Sequence, residues 1–162
     1  MGSGKSSVGR LIARTLGGRF VDTDRLVVDR AGCDIPAIFA RKGEAYFRAE
    51  ETHALASLLD ATGLVVATGG GIVTVEGNAA LLNGLGYVVW LDASEEVIWE
   101  RVSRNANRPM LHTENPRETV RKLLAARNPI YEAVADLRVD TTRLTHMEVA
   151  EQVCAKVREL EK

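Results

Sequence analysis

Cysteine is rare in this sequence. Its two copies, Cys33 and Cys154, lie far apart and lack the short spacing of metal ligands. Neither a disulfide framework nor a thiolate metal site therefore organises the chain, and free thiols point to a reducing compartment. Long apolar runs are missing too: none approaches the roughly 18 residues of a membrane span, and nothing resembles a signal peptide. Charge of one sign is not in excess, the formal net charge being −1. Without a global basic field, neither nucleic acid nor an anionic membrane is an expected partner, and any attraction for anions must come from local clusters of arginine. Repeats, low-complexity segments and linkers are absent. A soluble, cytoplasmic domain is expected.

What is present reads as an α/β domain. The 162 residues suffice for one domain that buries most of its apolar surface. Short Val-rich runs alternate with longer periodic stretches, the mark of a parallel sheet. Residues 19–22, 64–68, 87–92 and 137–141 predict strands; 64–68 and 87–91 are nearly continuous apolar runs, expected to be covered on both faces. A helix is predicted from about Lys5, where Val8, Leu11, Ile12 and Leu16 share a face and Gly17-Gly18 closes it. Further helices are predicted at 24–31, 35–41, 44–61, 76–83, 94–104, 117–135 and 146–161, and Pro129 is expected to start or kink a helix rather than continue it.

The chain opens "MGSGKSSVGR", the second half of a phosphate-binding loop of the form GxxxxGK[ST], whose first glycine would fall upstream of Met1. In such a loop glycines let backbone N–H groups approach phosphate oxygens, and the following helix turns its N-terminus to the anion. Lys5 would reach the β and γ phosphates and the Ser6 hydroxyl would ligate magnesium. The bland alternative, a scar of an expression tag, explains neither "GKS" nor the amphipathic helix behind it. "FVDTD" (20–24) ends a strand, so Asp22 and Asp24 can both reach the cleft at its carboxyl end. Asp22 could hold the metal and Asp24 could accept a hydrogen bond from a substrate hydroxyl; the alternative is that Asp24 caps the next helix.

Other motifs are weaker alone. "FRAEE" (47–51) has the look of a solvated, salt-bridging helix face. "TGGGIV" (68–73) follows a buried strand, where three glycines suit close approach of a ligand to the backbone. "RNANRPMLHTENP" (104–116) is polar and lacks helical periodicity; a lid at about 105–115 is expected, with Arg104 and Arg108 lending it charge suited to a polyphosphate. Arg101, Arg108 and Arg127 each pass for surface residues, although arginine matches carboxylates and phosphates in a bidentate fashion.

Taken together, "GSGKSSVGR", "FVDTD", "FRAEE", "TGGGIV", "NRPML", "RNPIY" and "RVDT" occur in the order and at the spacing of one family. The chain resembles the shikimate kinases, small P-loop kinases of aromatic amino-acid biosynthesis, over essentially its whole length. The resemblance implies an α/β P-loop kinase fold with a parallel sheet flanked by helices on both faces. It also implies ATP and Mg²⁺ as cofactors, with transfer of the γ-phosphoryl group to the 3-hydroxyl of shikimate. Carried over by position, Gly2, Ser3, Gly4, Lys5, Ser6 and Ser7 bind the nucleotide and Asp22 joins Ser6 at the metal. Asp24 orients or deprotonates the reacting hydroxyl. Arg48 and Arg127 clamp the shikimate carboxylate, while Gly69, Gly70 and Gly71 give close backbone contacts. Arg108 is the lid arginine and Arg101 packs on adenine. A monomer is expected.

The family's first strand is central in a sheet ordered 2-3-1-4-5 and feeds the loop; here residues 1–162 read as a single domain lacking that strand, so the start is expected to be trimmed or misassigned. Two rivals remain at this stage. A kinase of another small hydroxy acid such as gluconate would share the loop but should lack the pairing of "DTD" with "FRAE". A truncated homologue that binds nucleotide without turnover would keep every motif.

Overall fold

The computed structural model describes residues 2–104 and 113–160. Helix α1 (Lys5–Leu16) ends where the sequence places its stop: Gly17 adopts a left-handed backbone at φ 68° and the Gly18 N–H returns to the Ala13 carbonyl at 2.9 Å. Strand β1 (Arg19–Asp22) follows, then α2 (Thr23–Ala31), α3 (Ile35–Ala56) and β2 (Leu64–Ala67). A 3₁₀ turn (Ile72–Thr74), α4 (Asn78–Leu85), β3 (Val89–Asp92) and α5 (Glu95–Ser103) come next. The described chain closes with α6 (Pro116–Val134), β4 (Leu137–Asp140) and α7 (His146–Leu160).

The strands form two parallel pairs. β1 lies beside β2 with Asp22 opposite Ala67, and β3 lies beside β4 with Asp92 opposite Asp140. No strand among the described residues bridges β2 and β3. This is the arrangement that a 2-3-1-4-5 order leaves when its position 1 holds no described strand. Helices pack around the pairs in separate apolar clusters. Val8 and Ile12 of α1 meet Val139, Val149 and Val153; Val27 of α2 meets Ile38, Phe47 and Ala54 of α3. Ile98 and Val102 of α5 meet Val120 of α6, and Leu55 meets Ile72 and Leu82. Each such fully buried aliphatic side chain stabilises the fold by about 1.5–3 kcal/mol. Among the described residues no helix is long and apolar enough to cross a membrane.

Several sequence expectations shift. Residues 64–66 and 89–92 are only half-buried rather than covered on both faces; along β3 a cavity is lined by Val88, Val89, Trp90 and Leu91. β3 starts at Val89, since the Val88 N–H is taken by the Asp136 carboxylate at 2.8 Å. The helix expected over 44–61 stops at Ala56, beyond which the chain turns on Leu58→Leu55 and Ala61→Leu58 backbone bonds. Gly43, at φ 80° and ψ 172°, breaks α3 where two helices are predicted to meet. α6 continues through Pro129, which neither starts nor ends it. The expected lid falls mostly on residues 105–112, outside the described residues; its last member, Asn115, caps α6 by accepting the Glu118 N–H at 3.2 Å.

Candidate active site

The site gathers at the carboxyl ends of the strands, where open α/β sheets bind ligands. The loop 2–4 enters α1 through two left-handed glycines, Gly2 at φ 68° and Gly4 at φ 83°. A Cβ on Gly4 would stand 2.8 Å from His146 Nε2, and one on Gly2 would stand 2.8 Å from Val102 Cγ1, so both backbone shape and space demand glycine. No side chain among the described residues caps α1. The first turn of a helix carries N–H groups with no partner inside the helix, the feature an anion site uses. Ser6 Oγ donates to Asp22 Oδ2 at 2.8 Å, and Asp22 Oδ1 accepts the Asp24 N–H at 3.1 Å. The cap of α2 is thus Asp22, and Asp24 is left to other work. Ser3 is buried, Ser7 is exposed, and Ser3 and Lys5 line a cavity of about 80 Å³ with Gly69, Gly70 and Tyr131. From α5, Arg101 donates to the Gly2 carbonyl at 3.4 Å and the Thr141 carbonyl at 3.2 Å.

Beside the glycine segment two helices present their arginines. Arg48 Nη1 donates to Glu51 Oε2 at 2.6 Å, while Nε and Nη2 both reach Glu44 Oε1, at 3.2 and 2.9 Å. Burial alone would lower the Arg48 pKa, but hydrogen bonds and charge from Glu51 and Glu44 hold it above its ordinary value. Glu51 is fully buried; burial pushes its carboxyl up and the Asp24 charge adds to this, against the pull of Arg48 and Arg127. Its Oε1 makes no hydrogen bond among the described residues. The glycine segment is pressed against these groups. A Cβ on Gly69 would collide with Glu51 Oε1 and lie 3.0 Å from Asp24 Oδ1, and one on Gly71 would strike the Arg48 guanidinium. Arg127 of α6 is buried, and the phenol of Tyr131 beside it donates to the Gly70 carbonyl at 2.5 Å.

Asp24, Arg48, Arg127, Gly69, Gly70 and Gly71 are therefore brought together, and Gly69 and Gly70 share the cavity with Lys5 and Ser3. Arg101 reaches the loop from the opposite side. Arg108 lies outside the described residues. Further side chains adjoin these groups without a role assigned from the sequence, although Tyr131 closes the "RNPIY" motif. "FRAEE" reads as a solvated, salt-bridging face; Arg48 does pair with Glu44 and Glu51, yet Glu50 and Glu51 are both buried rather than solvated. Tyr131 stands four residues after Arg127 and Thr52 four after Arg48, one helical turn in each case. His146, which touches Gly4, carries no sequence signal, because the packing of α7 on α1 alone brings it there.

A family model described as shikimate kinase matches residues 1–158. The chain belongs to the shikimate kinase family. Among similar proteins, the shikimate kinase of Geobacter sulfurreducens is 48% identical over 98% of this chain and 87% of its own length. That of Cereibacter sphaeroides is 45% identical over 98% of this chain and 77% of its own. A solved shikimate kinase from Acinetobacter baumannii, in complex with shikimate, superposes with a TM-score of 0.94 at 38% identity, covering 98% of this chain and 89% of that one. The Aquifex aeolicus shikimate kinase superposes at a TM-score of 0.85 and 35% identity, covering 98% and 92%. The α/β P-loop kinase fold expected of the family is the one observed.

Proposed function

We infer that the cleft between the 2–4 loop and the 69–71 glycines is where this chain phosphorylates shikimate. The chain is an ATP-dependent shikimate kinase, transferring the γ-phosphoryl group to the 3-hydroxyl of shikimate to give shikimate 3-phosphate and ADP. The observation that carries the site reading is the convergence of Arg48 and Arg127, from two different helices, on one glycine segment beside Asp24. A small monocarboxylate matches two guanidinium forks, and a hydroxyl on the same ring then faces a carboxylate.

The roles follow from position. Backbone N–H groups of residues 2–7, led by Gly2, Gly4 and the first turn at Ser6 and Ser7, cradle the phosphates with Ser3, and Lys5 neutralises the charge that spreads over the transferring group. Asp24 accepts the hydrogen bond of the attacking hydroxyl and takes its proton or orients it. Arg48 and Arg127 hold the carboxylate, with Gly69, Gly70 and Gly71 allowing the ring close to the backbone. Arg101 packs against adenine and Arg108 closes over the phosphates as the lid arginine.

The metal set fits a hard cation. Ser6 Oγ and Asp22 Oδ2 lie 2.8 Å apart, and no group of three or more His, Cys, Asp or Glu side chains clusters among the described residues. Two oxygens with room for phosphate and water suit Mg²⁺, which keeps much of its own shell. When bound, Mg²⁺ neutralises phosphate charge. Free Cys33 and Cys154 support a cytoplasmic setting, and we take the protein to be a monomer.

The test is substitution of the carboxylate clamp. Arg48→Ala and Arg127→Ala are each expected to weaken shikimate binding by about 1.5–3 kcal/mol, the worth of a charged hydrogen bond, with little change in ATP affinity. Isothermal titration with each ligand reads this directly. Equal loss of both ligands would assign the arginines to structure instead.

A further inference from the structure

The two arginine-bearing helices are registered against one short stretch of chain. On α6, the Tyr131 hydroxyl donates to the Gly70 carbonyl at 2.5 Å, and the Arg127 guanidinium adjoins the same phenol. On α3, the Thr52 hydroxyl shares its proton between the Arg48 carbonyl at 3.1 Å and Asn78 Oδ1 at 3.0 Å. Asn78 is wholly buried and passes the link on, its Nδ2 donating to the Ile72 carbonyl at 2.9 Å. Gly70 and Ile72 stand two residues apart in the turn that presses on Arg48 and Glu51.

We propose that the 70–72 segment is a shared ruler setting the gap between the Arg48 and Arg127 guanidinium groups, with Tyr131, Thr52 and Asn78 as the positioning residues that tie each helix to it. The inference rests on the reading that these two arginines receive the substrate carboxylate. A rigid ring with its carboxylate held in two forks places its hydroxyl to within a fraction of an ångström, so an error in the gap between the forks moves the reacting oxygen. Hydrogen bonds to backbone carbonyls of a tight turn suit this task, because the turn itself cannot flex without losing its own 3₁₀ bonds, such as Thr74 N–H to the Gly71 carbonyl at 3.0 Å. Burial pushes the Tyr131 hydroxyl above its ordinary pKa, against Arg127 and Arg48, so the phenol stays protonated and able to donate. The ring also packs on Trp90, with centroids 5.7 Å apart, and Tyr131→Phe preserves that contact.

The experiment compares Tyr131→Phe, Thr52→Val and Thr52→Ser with the unaltered protein, reading kcat, the KM for shikimate, the KM for ATP and the melting temperature. Tyr131→Phe and Thr52→Val should each raise the shikimate KM about three- to tenfold, the loss of one neutral hydrogen bond, while the ATP KM stays within about twofold. Thr52→Ser keeps the hydroxyl and should stay near the unaltered value, although it loses the methyl that valine retains. If Thr52→Ser suffers as much as Thr52→Val, or if the ATP KM moves in step with the shikimate KM, the hydrogen bonds are only part of the general packing and the ruler is wrong. Arg48→Ala and Arg127→Ala run alongside. Should they raise the shikimate KM while Tyr131→Phe and Thr52→Val do not, the ruler fails and the clamp stands; should they leave it unmoved, the clamp reading fails and the ruler with it.

Discussion

At the scale of single residues, Arg48 is the most informative side chain, because its whole fork is engaged by carboxylates of the protein itself. Glu51 takes one amino group from a buried position, and Glu44 takes the other edge with its side chain about half exposed (52%). In the proposed clamp a substrate carboxylate displaces the weaker holder, which is the exposed one. An exposed i,i+4 pair contributes up to about 1 kcal/mol. Glu44→Gln should therefore lower the shikimate KM by about two- to fivefold, measured by steady-state kinetics at saturating ATP. A raised KM would mean that Glu44 helps to orient Arg48 rather than compete for it. Glu51 leads to a separate expectation. Its carboxyl is raised above the ordinary 4.5, so between that pH and its folded value the native state holds more protons than the unfolded chain. The stability it contributes is full below about 4.5 and is lost as pH rises through the folded value. Glu51→Gln cannot ionise. The stability of the unaltered protein relative to Glu51→Gln should accordingly fall as pH rises above about 4.5 in urea titrations, and a constant or rising difference would contradict the assignment. The sequence showed Arg48 readily through its motif, but Glu51 looked like part of a solvated face. Nothing local distinguishes a helical Glu at i+3 that points to water from one that points under a glycine turn.

Among elements, the junction of α1 with β1 carries most of the proposed nucleotide chemistry. Asp22 ends β1, caps α2 and accepts the Ser6 hydroxyl, so one side chain joins three pieces of chain. Asparagine caps helices as well as aspartate does, but lacks the charge that a cation needs. Asp22→Asn should hence change stability by less than about 1 kcal/mol while raising the Mg²⁺ concentration needed for half-maximal activity several-fold. A large fall in melting temperature with unchanged Mg²⁺ dependence would reduce Asp22 to a cap. Helix α1 was legible down to its glycine stop, because its apolar period and left-handed terminator are local properties. Pro129 was not. A proline inside α6 violates local preference, and the helix continues because residues on both sides of it are held: Val120 in the α5 contact, Arg127 and Tyr131 at the glycine segment.

For the molecule as a whole, the run of motifs was legible because chemistry-bearing residues sit at the carboxyl ends of predicted strands: Asp22 and Asp24 after β1, the glycines after β2. That rule places them in one cleft without any knowledge of packing. How closely the helices approach that cleft was not legible. The gap between Arg48 and Arg127 depends on 78 residues of intervening chain, and on hydrogen bonds from Tyr131 and Asn78 that no periodicity announces. The half-buried strands were likewise unforeseen, since apolar composition reports what could be covered rather than what covers it. Motifs and fold agree on a single chemistry, and product analysis tests it most directly. The protein is incubated with ATP, Mg²⁺ and, in separate reactions, shikimate, quinate or gluconate, and the products are resolved by ³¹P and ¹H NMR. The account predicts shikimate 3-phosphate formed in step with ADP, and much slower turnover of the other two acids. Preferential phosphorylation of quinate or gluconate, or ADP release without a phosphorylated shikimate, would contradict it.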